Sequence, residues 1–131
     1  MANKKTRAVD KEEFEKIIST IRTGFTLPNG DRVRPNERVA TALTLQANLG
    51  LRIGDIVHLR LADIILEGGR YHLDIVEQKT GKARNFTVPT EVYIYLQNYT
   101  IQQGLRPTQK LFPLTVRAVQ LHLQKVCRYL G

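Results

Sequence analysis

The sequence predicts an α+β domain, mainly helical with one three-stranded antiparallel sheet, in the order ααα-βββ-αα. Three observations carry that expectation. Apolar residues recur at helical spacing in three stretches between Asp10 and Leu59. The period then drops to two between Ile64 and Val88, and helical spacing returns from Thr90 to Leu130. A chain of 131 residues suits a single core, since two would each sit near the lower limit of independent folding.

Each element has its own signal. Asp10 and Glu13 form a capping box, after which Phe14, Ile17, Ile18 and Ile21 follow at helical spacing as far as Gly24. From Gly24 to Pro35 the residues Pro28, Asn29 and Gly30 mark a loop. Asn36 caps a second helix running to about Asn48, with Val39, Ala40, Leu43 and Ala47 on its buried face, and Gly50 ends it. A third, shorter helix fits Ile53 to Leu59. Ile64 to Leu66 is a short strand, and Glu67-Gly68-Gly69 is a turn. Tyr71, Leu73 and Ile75 then alternate with His72 and Asp74, and beyond the polar turn Lys79-Thr80-Gly81-Lys82 so do Phe86 and Val88 with Asn85 and Thr87. Three such strands with an apolar face can pack on helices, where two would be marginal. Thr90 caps a fourth helix carrying Val92, Tyr93, Leu96, Tyr99 and Ile101 towards Gly104. A loop from Arg106 to Pro113 follows, and Thr115 caps a fifth helix with Val116, Val119, Leu123, Val126 and Leu130 on one face.

Composition narrows the function. Hydrophobic residues make up 42% and charged residues 24%, ordinary globular values that disfavour disorder and coiled coil. No apolar run approaches the roughly 20 residues of a membrane span, and the start, MANKKTRAVDKEEF, lacks the apolar core of a secretory signal. Residues 1–8, with Lys4, Lys5 and Arg7, read as a basic tail before a domain at 9–131. The single Cys127 cannot form an internal disulfide, which fits a reducing, cytoplasmic setting. His58, His72 and His122 lack metal-ligand spacing and have no Cys partners, which disfavours a zinc site. Twenty Lys and Arg against twelve Asp and Glu leave a formal charge of +8, which favours polyanionic partners. Nucleic acid stands first, an anionic membrane surface second, and plain solubility needs no partner at all.

Two segments carry chemistry. In Leu49-Gly50-Leu51-Arg52-Ile53-Gly54-Asp55 an arginine stands where one helix has ended and another begins. Its guanidinium and the free N–H groups of the third helix would suit a phosphate, with Asp55 holding the arginine in place; a surface ion pair is the plainer alternative. Val76-Glu77-Gln78-Lys79-Thr80-Gly81-Lys82 is a lysine-bearing hairpin tip. A lysine there reaches outward on a flexible stem, as a proton donor or phosphate contact must, or is simply a solvated turn residue.

Together, these strings resemble a known family. NLGLRIGDIVHLRLADI resembles the first catalytic box of the tyrosine recombinases, the phage integrase family. DIVEQKTGKARNFTVPTEV resembles the family's β-hairpin with its lysine and the Val-Pro leading to the next helix. DKEEFEKIISTI resembles the opening helix, and KLFPLTVRAVQLHLQKVCRYLG the loop and helix before the second box, so the likeness covers about residue 8 to residue 131. It implies the amino-terminal part of the integrase catalytic fold, and strand exchange without metal or cofactor in which a tyrosine attacks the scissile phosphate to give a 3′-phosphotyrosyl link. By the same likeness Arg52 contacts the non-bridging oxygens, Asp55 buttresses Arg52, and Lys79 protonates the departing 5′-oxygen. Double-stranded DNA is the implied partner, with assembly of several copies upon it, in a bacterial, phage or mobile-element setting.

The family's second box (His-x-x-Arg), its later His or Trp and its nucleophilic tyrosine have no counterpart here. His122-Leu123-Gln124-Lys125 imitates the second box but falls inside the fifth helix, before the Leu130-Gly131 that normally precedes that box. Tyr71, Tyr93, Tyr95, Tyr99 and Tyr129 fall where packing explains them. The chain is therefore expected to be a partial catalytic domain, truncated on its C-terminal side, that binds DNA without cleaving it. Apolar surface left open beside the fifth helix would favour self-association. Candidate DNA contacts are Lys82, Arg84, Arg106 and Lys110, around the hairpin and the loop after the fourth helix. Arg34, Arg38, Gln97 and Gln102 join them because the family's second and fourth helices face the duplex. The competing reading is a basic DNA-binding or interaction module with no catalytic history, and an RNA binder is a third.

Overall fold

The structure is a computed structural model that describes residues 10–131; the basic tail expected over 1–8 lies outside the described residues. The first helix, α1 (Lys11–Thr23), opens on the expected capping box: Glu13 N–H donates to Asp10 at 2.8 Å and Asp10 N–H to Glu13 at 3.3 Å. It stops at Gly24, whose φ of +78° suits glycine. A Cβ there would lie 2.8 Å from the Val33 carbonyl oxygen and 2.9 Å from Pro35 Cδ.

The segment after Gly24, expected to be a loop, contains a miniature hairpin. β1 (Phe25–Thr26) pairs antiparallel with β2 (Arg32–Val33), in register Phe25 to Val33. Two residues per strand are too few to show a period, so only the turn residues were legible in the sequence. Helix α2 (Glu37–Leu49) is capped by Asn36, which accepts from Val39 N–H at 3.1 Å. It is buried on more than one face. Ala42, Leu45 and Leu49 join one apolar cluster, while Val39, Ala40 and Leu43 join another. Ala47, expected inside, is exposed, because the second buried face is formed by Ala42 and Leu45 instead.

The third helix is shorter than predicted. α3 spans only Ile53–Ile56, and the chain beyond it turns into an extended bridge between Arg60 and Lys110. Leu59, the expected helix end, gives its carbonyl to Leu111 N–H at 2.9 Å, so a tertiary pairing overrides continuation of the helix. A turn of 3-10 helix (Leu61–Asp63) leads to the sheet.

The predicted meander is present. β3 (Ile64–Glu67), β4 (Arg70–Val76) and β5 (Ala83–Val88) lie in that order, all antiparallel, with Leu73 opposite both Ile64 and Phe86. Leu73 and Val88 face the core. Helix α4 (Thr90–Gln103) begins one residue earlier than expected: Pro89 holds the capping position and its carbonyl accepts from Val92 and Tyr93, leaving Thr90 inside the helix without a capping bond. Val92, Leu96 and Tyr99 are buried, whereas Ile101, expected among them, is 72% exposed. It lies about 200° around the helix from Tyr99, at 100° per residue. Helix α5 (Val116–Leu130) is capped by Thr115 and buries Val119 and Val126.

The two clusters meet across α2. One joins α2 to the sheet and α4 through Leu45, Ile56, Leu73, Leu96 and Phe112; the other joins α1, α2 and α5 through Ile21, Phe25, Val39 and Val126. Each fully buried Leu, Ile or Phe contributes about 1.5–3 kcal/mol. The core thus clamps the first-box segment and the base of the long hairpin to the same face of α2.

Candidate functional site

Arg52 occupies the extended residue between α2 and α3, with φ −73° and ψ 148°. Its neighbours Leu51 and Ile56 are buried, which leaves the arginine side chain outward and exposed. The expected help from the third helix is small, because a four-residue helix has little macrodipole. Asp55, only 5% exposed, does something other than hold Arg52. Its Oδ1 accepts the Gln78 amide N–H at 2.8 Å, across 23 residues of sequence. Among the described residues the ion pairs are Arg22–Glu37 and Arg84–Glu77, with none between Arg52 and Asp55. The predicted buttress is instead a tie between the first box and the lysine loop.

That loop is built tightly from its own residues. Glu77 N–H donates to the Lys82 carbonyl at 2.8 Å, and Gly81 N–H to the Glu77 carbonyl at 2.9 Å. Gly81 reaches this geometry at φ +72°, where a residue with a Cβ is strained. Thr80 Oγ1 donates to Glu77 Oε1 at 2.7 Å and accepts from Lys82 N–H at 3.2 Å. Lys79 is the residue left over. It stands exposed at the tip, and no described residue bonds its ammonium.

Glu77 is the group that the sequence reading passed over. It is 6% exposed, with Oε1 on Thr80 and Oε2 accepting from Arg84 at 2.8 Å. These hydrogen bonds, from Thr80 first and Arg84 second, hold its carboxyl below the ordinary range against the opposing effect of burial. The charge of Arg84 and, least of all, that of Arg52 add to the lowering. A signal was there to find. Leu73, Ile75 and Glu77 share strand parity, which aims a carboxylate at the core side and turns Val76, 62% exposed, outward.

The remaining predicted residues fall into separate groups. Lys82 and Arg84 belong to the hairpin with Lys79. Arg106 sits after α4, where its N–H donates to Gln109 at 2.7 Å, and Lys110 pairs with Arg60. Arg34 and Arg38 are exposed around the start of α2, and Gln97 and Gln102 are exposed on α4. No described contact joins these last four to the hairpin. His122 is half-buried on α5 against Phe25, with its Nε2 unpartnered. Burial first and Lys125 second lower its pKa, which favours a neutral packing ring. Tyr71 and Tyr93 stack at 4.0 Å, and Tyr99 donates to the Leu111 carbonyl at 2.8 Å. Tyr95 lies between Thr41 and Arg22, and Tyr129, although 46% exposed, rests its ring on Phe25.

The family model described as the phage integrase family matches residues 7–130. The chain belongs to the phage integrase family. Among curated proteins there is no match. At the level of this family the function is site-specific recombination of the tyrosine type, with DNA as the implied partner. The integrase match covers both clusters, the whole meander and α5, so the arginine and the hairpin lie within one matched domain. Among the described residues no helix is long and apolar enough to cross a membrane.

Proposed function

We propose that this chain binds duplex DNA as the arginine- and lysine-bearing part of a tyrosine recombinase catalytic centre, and that these 131 residues do not cleave DNA unaided. The observation that carries the proposal is the bond from the Gln78 amide to buried Asp55, which couples the segment holding Arg52 to the loop holding Lys79. A phosphate lying between the two segments meets a fork donor on one side and a proton donor on the other.

The chemistry follows from those two groups. A tyrosine oxygen, its phenolic proton passing to a base outside these residues or to solvent, attacks the phosphorus and forms a P–O bond as the bond to the 5′-oxygen breaks. Charge builds on the non-bridging oxygens, where Arg52 presents up to five N–H donors. The departing 5′-oxygen takes its proton from the Lys79 ammonium, leaving a 5′-hydroxyl and a neutral amine. No cofactor enters this scheme. The five tyrosines are engaged elsewhere: Tyr71 and Tyr93 stack on each other, Tyr95 bonds Thr41 and Arg22, Tyr129 packs on Phe25, and Tyr99 bonds the Leu111 carbonyl with its phenol pushed up to about 12, chiefly by burial. The nucleophile and the second box therefore come from residues other than these. Assembly of several copies on DNA belongs to the same reading.

Arg34, Arg38, Lys82, Arg84, Gln97, Arg106 and Lys110 serve in it as DNA contacts, mostly to phosphates, which set register and carry no sequence information. The test has two parts. Titration of a labelled duplex with the chain across a salt series should show affinity falling linearly on logarithmic axes, by about 0.9 in slope per phosphate neutralised. In a recombinase chain that includes the nucleophile, Arg52→Ala or Lys79→Ala should slow cleavage on the order of 10²–10³-fold while duplex affinity stays within a few-fold. Binding that falls as far as cleavage would leave these residues as ordinary phosphate contacts, on a non-catalytic DNA-binding module.

A further inference from the structure

Arg84 is held in an unusual way for a surface arginine. Its guanidinium carbon lies 4.5 Å from the centroid of the Phe86 ring, two residues along the same face of β5. One edge of the fork donates to Glu77 Oε2 at 2.8 Å. The side chain nevertheless remains 44% exposed, and no other described acceptor takes its remaining N–H groups. Glu77 is itself fixed, buried on the core side of the hairpin with its second oxygen on Thr80. An exposed arginine ordinarily samples many rotamers, and ordering it on binding costs affinity. Here stacking fixes one face, the carboxylate fixes one edge, and the rest faces solvent.

We propose that Glu77 is a positioning residue which, with Phe86, sets Arg84 as a ready-made fork for a second DNA phosphate, beside the one assigned to Arg52 and Lys79. The inference rests on the proposed function and deepens it. Through Thr80 the same carboxylate also braces the loop that carries Lys79, so the two phosphate-facing groups of the hairpin share one anchor.

The sign of one substitution separates this role from simple electrostatics. Glu77→Gln removes a negative charge from a basic protein, which by itself favours DNA. A positioning role predicts the reverse. Anisotropy of a labelled duplex titrated with the 131-residue chain over a potassium chloride series provides the readout. Glu77→Gln should weaken binding about 2- to 12-fold, the cost of ordering one long side chain. Arg84→Gln should flatten the salt slope by about 0.9, the loss of one phosphate contact. In the Arg84→Gln background Glu77→Gln should no longer weaken binding. Arg84→Lys leaves Glu77 in place and keeps the charge, but lacks the planar fork and the stack; it should weaken binding by a similar factor with the salt slope retained.

Tighter or unchanged binding by Glu77→Gln overturns the inference, as does equal weakening in both backgrounds or wild-type affinity in Arg84→Lys. Should Glu77→Gln fail to fold, the Arg84→Lys result decides alone. A complete lack of salt-dependent binding by the unsubstituted chain refutes the proposed function and this inference with it. Binding without coupling between Glu77 and Arg84 overturns only the inference.

Discussion

Replacing Asp55 with alanine should loosen the lysine loop from the first box. The carboxylate is 5% exposed and takes one charge-assisted hydrogen bond, from the Gln78 amide at 2.8 Å. Such bonds contribute about 1.5–3 kcal/mol. Gln78 is exposed, so water can reach its amide once the acceptor is gone, and the lower end of that range applies. The expected cost is about 1.5 kcal/mol, which lowers the melting temperature by about 5 °C on an unfolding entropy of roughly 2.1 cal/mol/K per residue. Asp55→Asn keeps an oxygen in place without the charge and should cost about half as much. Far-UV circular dichroism melts of both variants give the global numbers. Amide hydrogen exchange gives the local one: Gln78 N–H should exchange at least about 10-fold faster in the alanine variant, a change equivalent to about 1.4 kcal/mol of local opening. Amides of Leu73 and Leu45, deep in the core, should follow only the global change. A melting shift below about 1 °C with Gln78 still protected would refute the tie between the two segments.

Other residues give equally definite expectations. Tyr99→Phe removes the bond to the Leu111 carbonyl and should cost about 1 kcal/mol in urea titrations. Since burial raises the Tyr99 phenol from 10.0 to about 12, its contribution is present below pH 10 and lost as pH rises towards 12; the phenylalanine variant should lack that alkaline decline. His122 has the opposite sense: its pKa lies below 6.5 in the fold, so its contribution is present above pH 6.5 and lost as pH falls through the lowered value. His122→Leu should remove that acid-side slope, seen by comparing denaturation midpoints from pH 7 downward, and should gain about 1 kcal/mol by deleting the unpartnered Nε2. Gly24→Ala should cost about 2–3 kcal/mol, because strain at φ +78° is joined by contact with Val33 and Pro35. Gly81→Ala, equally left-handed but with nothing within 4 Å, should cost about 1–2 kcal/mol by the same measurement.

Much of the fold was legible because its signals are local. The capping residues Asp10, Asn36 and Thr115 each make the predicted bond, and the period-two stretch from Ile64 to Val88 folds as the expected meander. Expectation failed for a different reason at each place. Ile53 to Leu59 has helical spacing, yet Leu111 claims the Leu59 carbonyl and ends the helix early. Thr90 has the chemistry of a cap, but the Pro89 carbonyl had already begun the helix. The hairpin at Phe25 to Val33 is held by Pro28-Asn29-Gly30 and by packing, with strands too short to show a pattern.

The candidate site divides in the same way. From residue types in order along the chain came the exposed arginine after a helix, the lysine in a Lys-Thr-Gly turn, the basic balance and the likeness to the recombinases. Those properties follow from composition and local geometry, and need no knowledge of what lies opposite. Tertiary structure alone decided the partners. It gave Asp55 to the Gln78 amide instead of to Arg52, buried Glu77 between Thr80 and Arg84, and laid Arg84 on Phe86. The physical reason is that a buried carboxylate must find its donors in whatever the fold brings within about 3 Å, and that neighbourhood is set by how the sheet, α2 and α3 pack together.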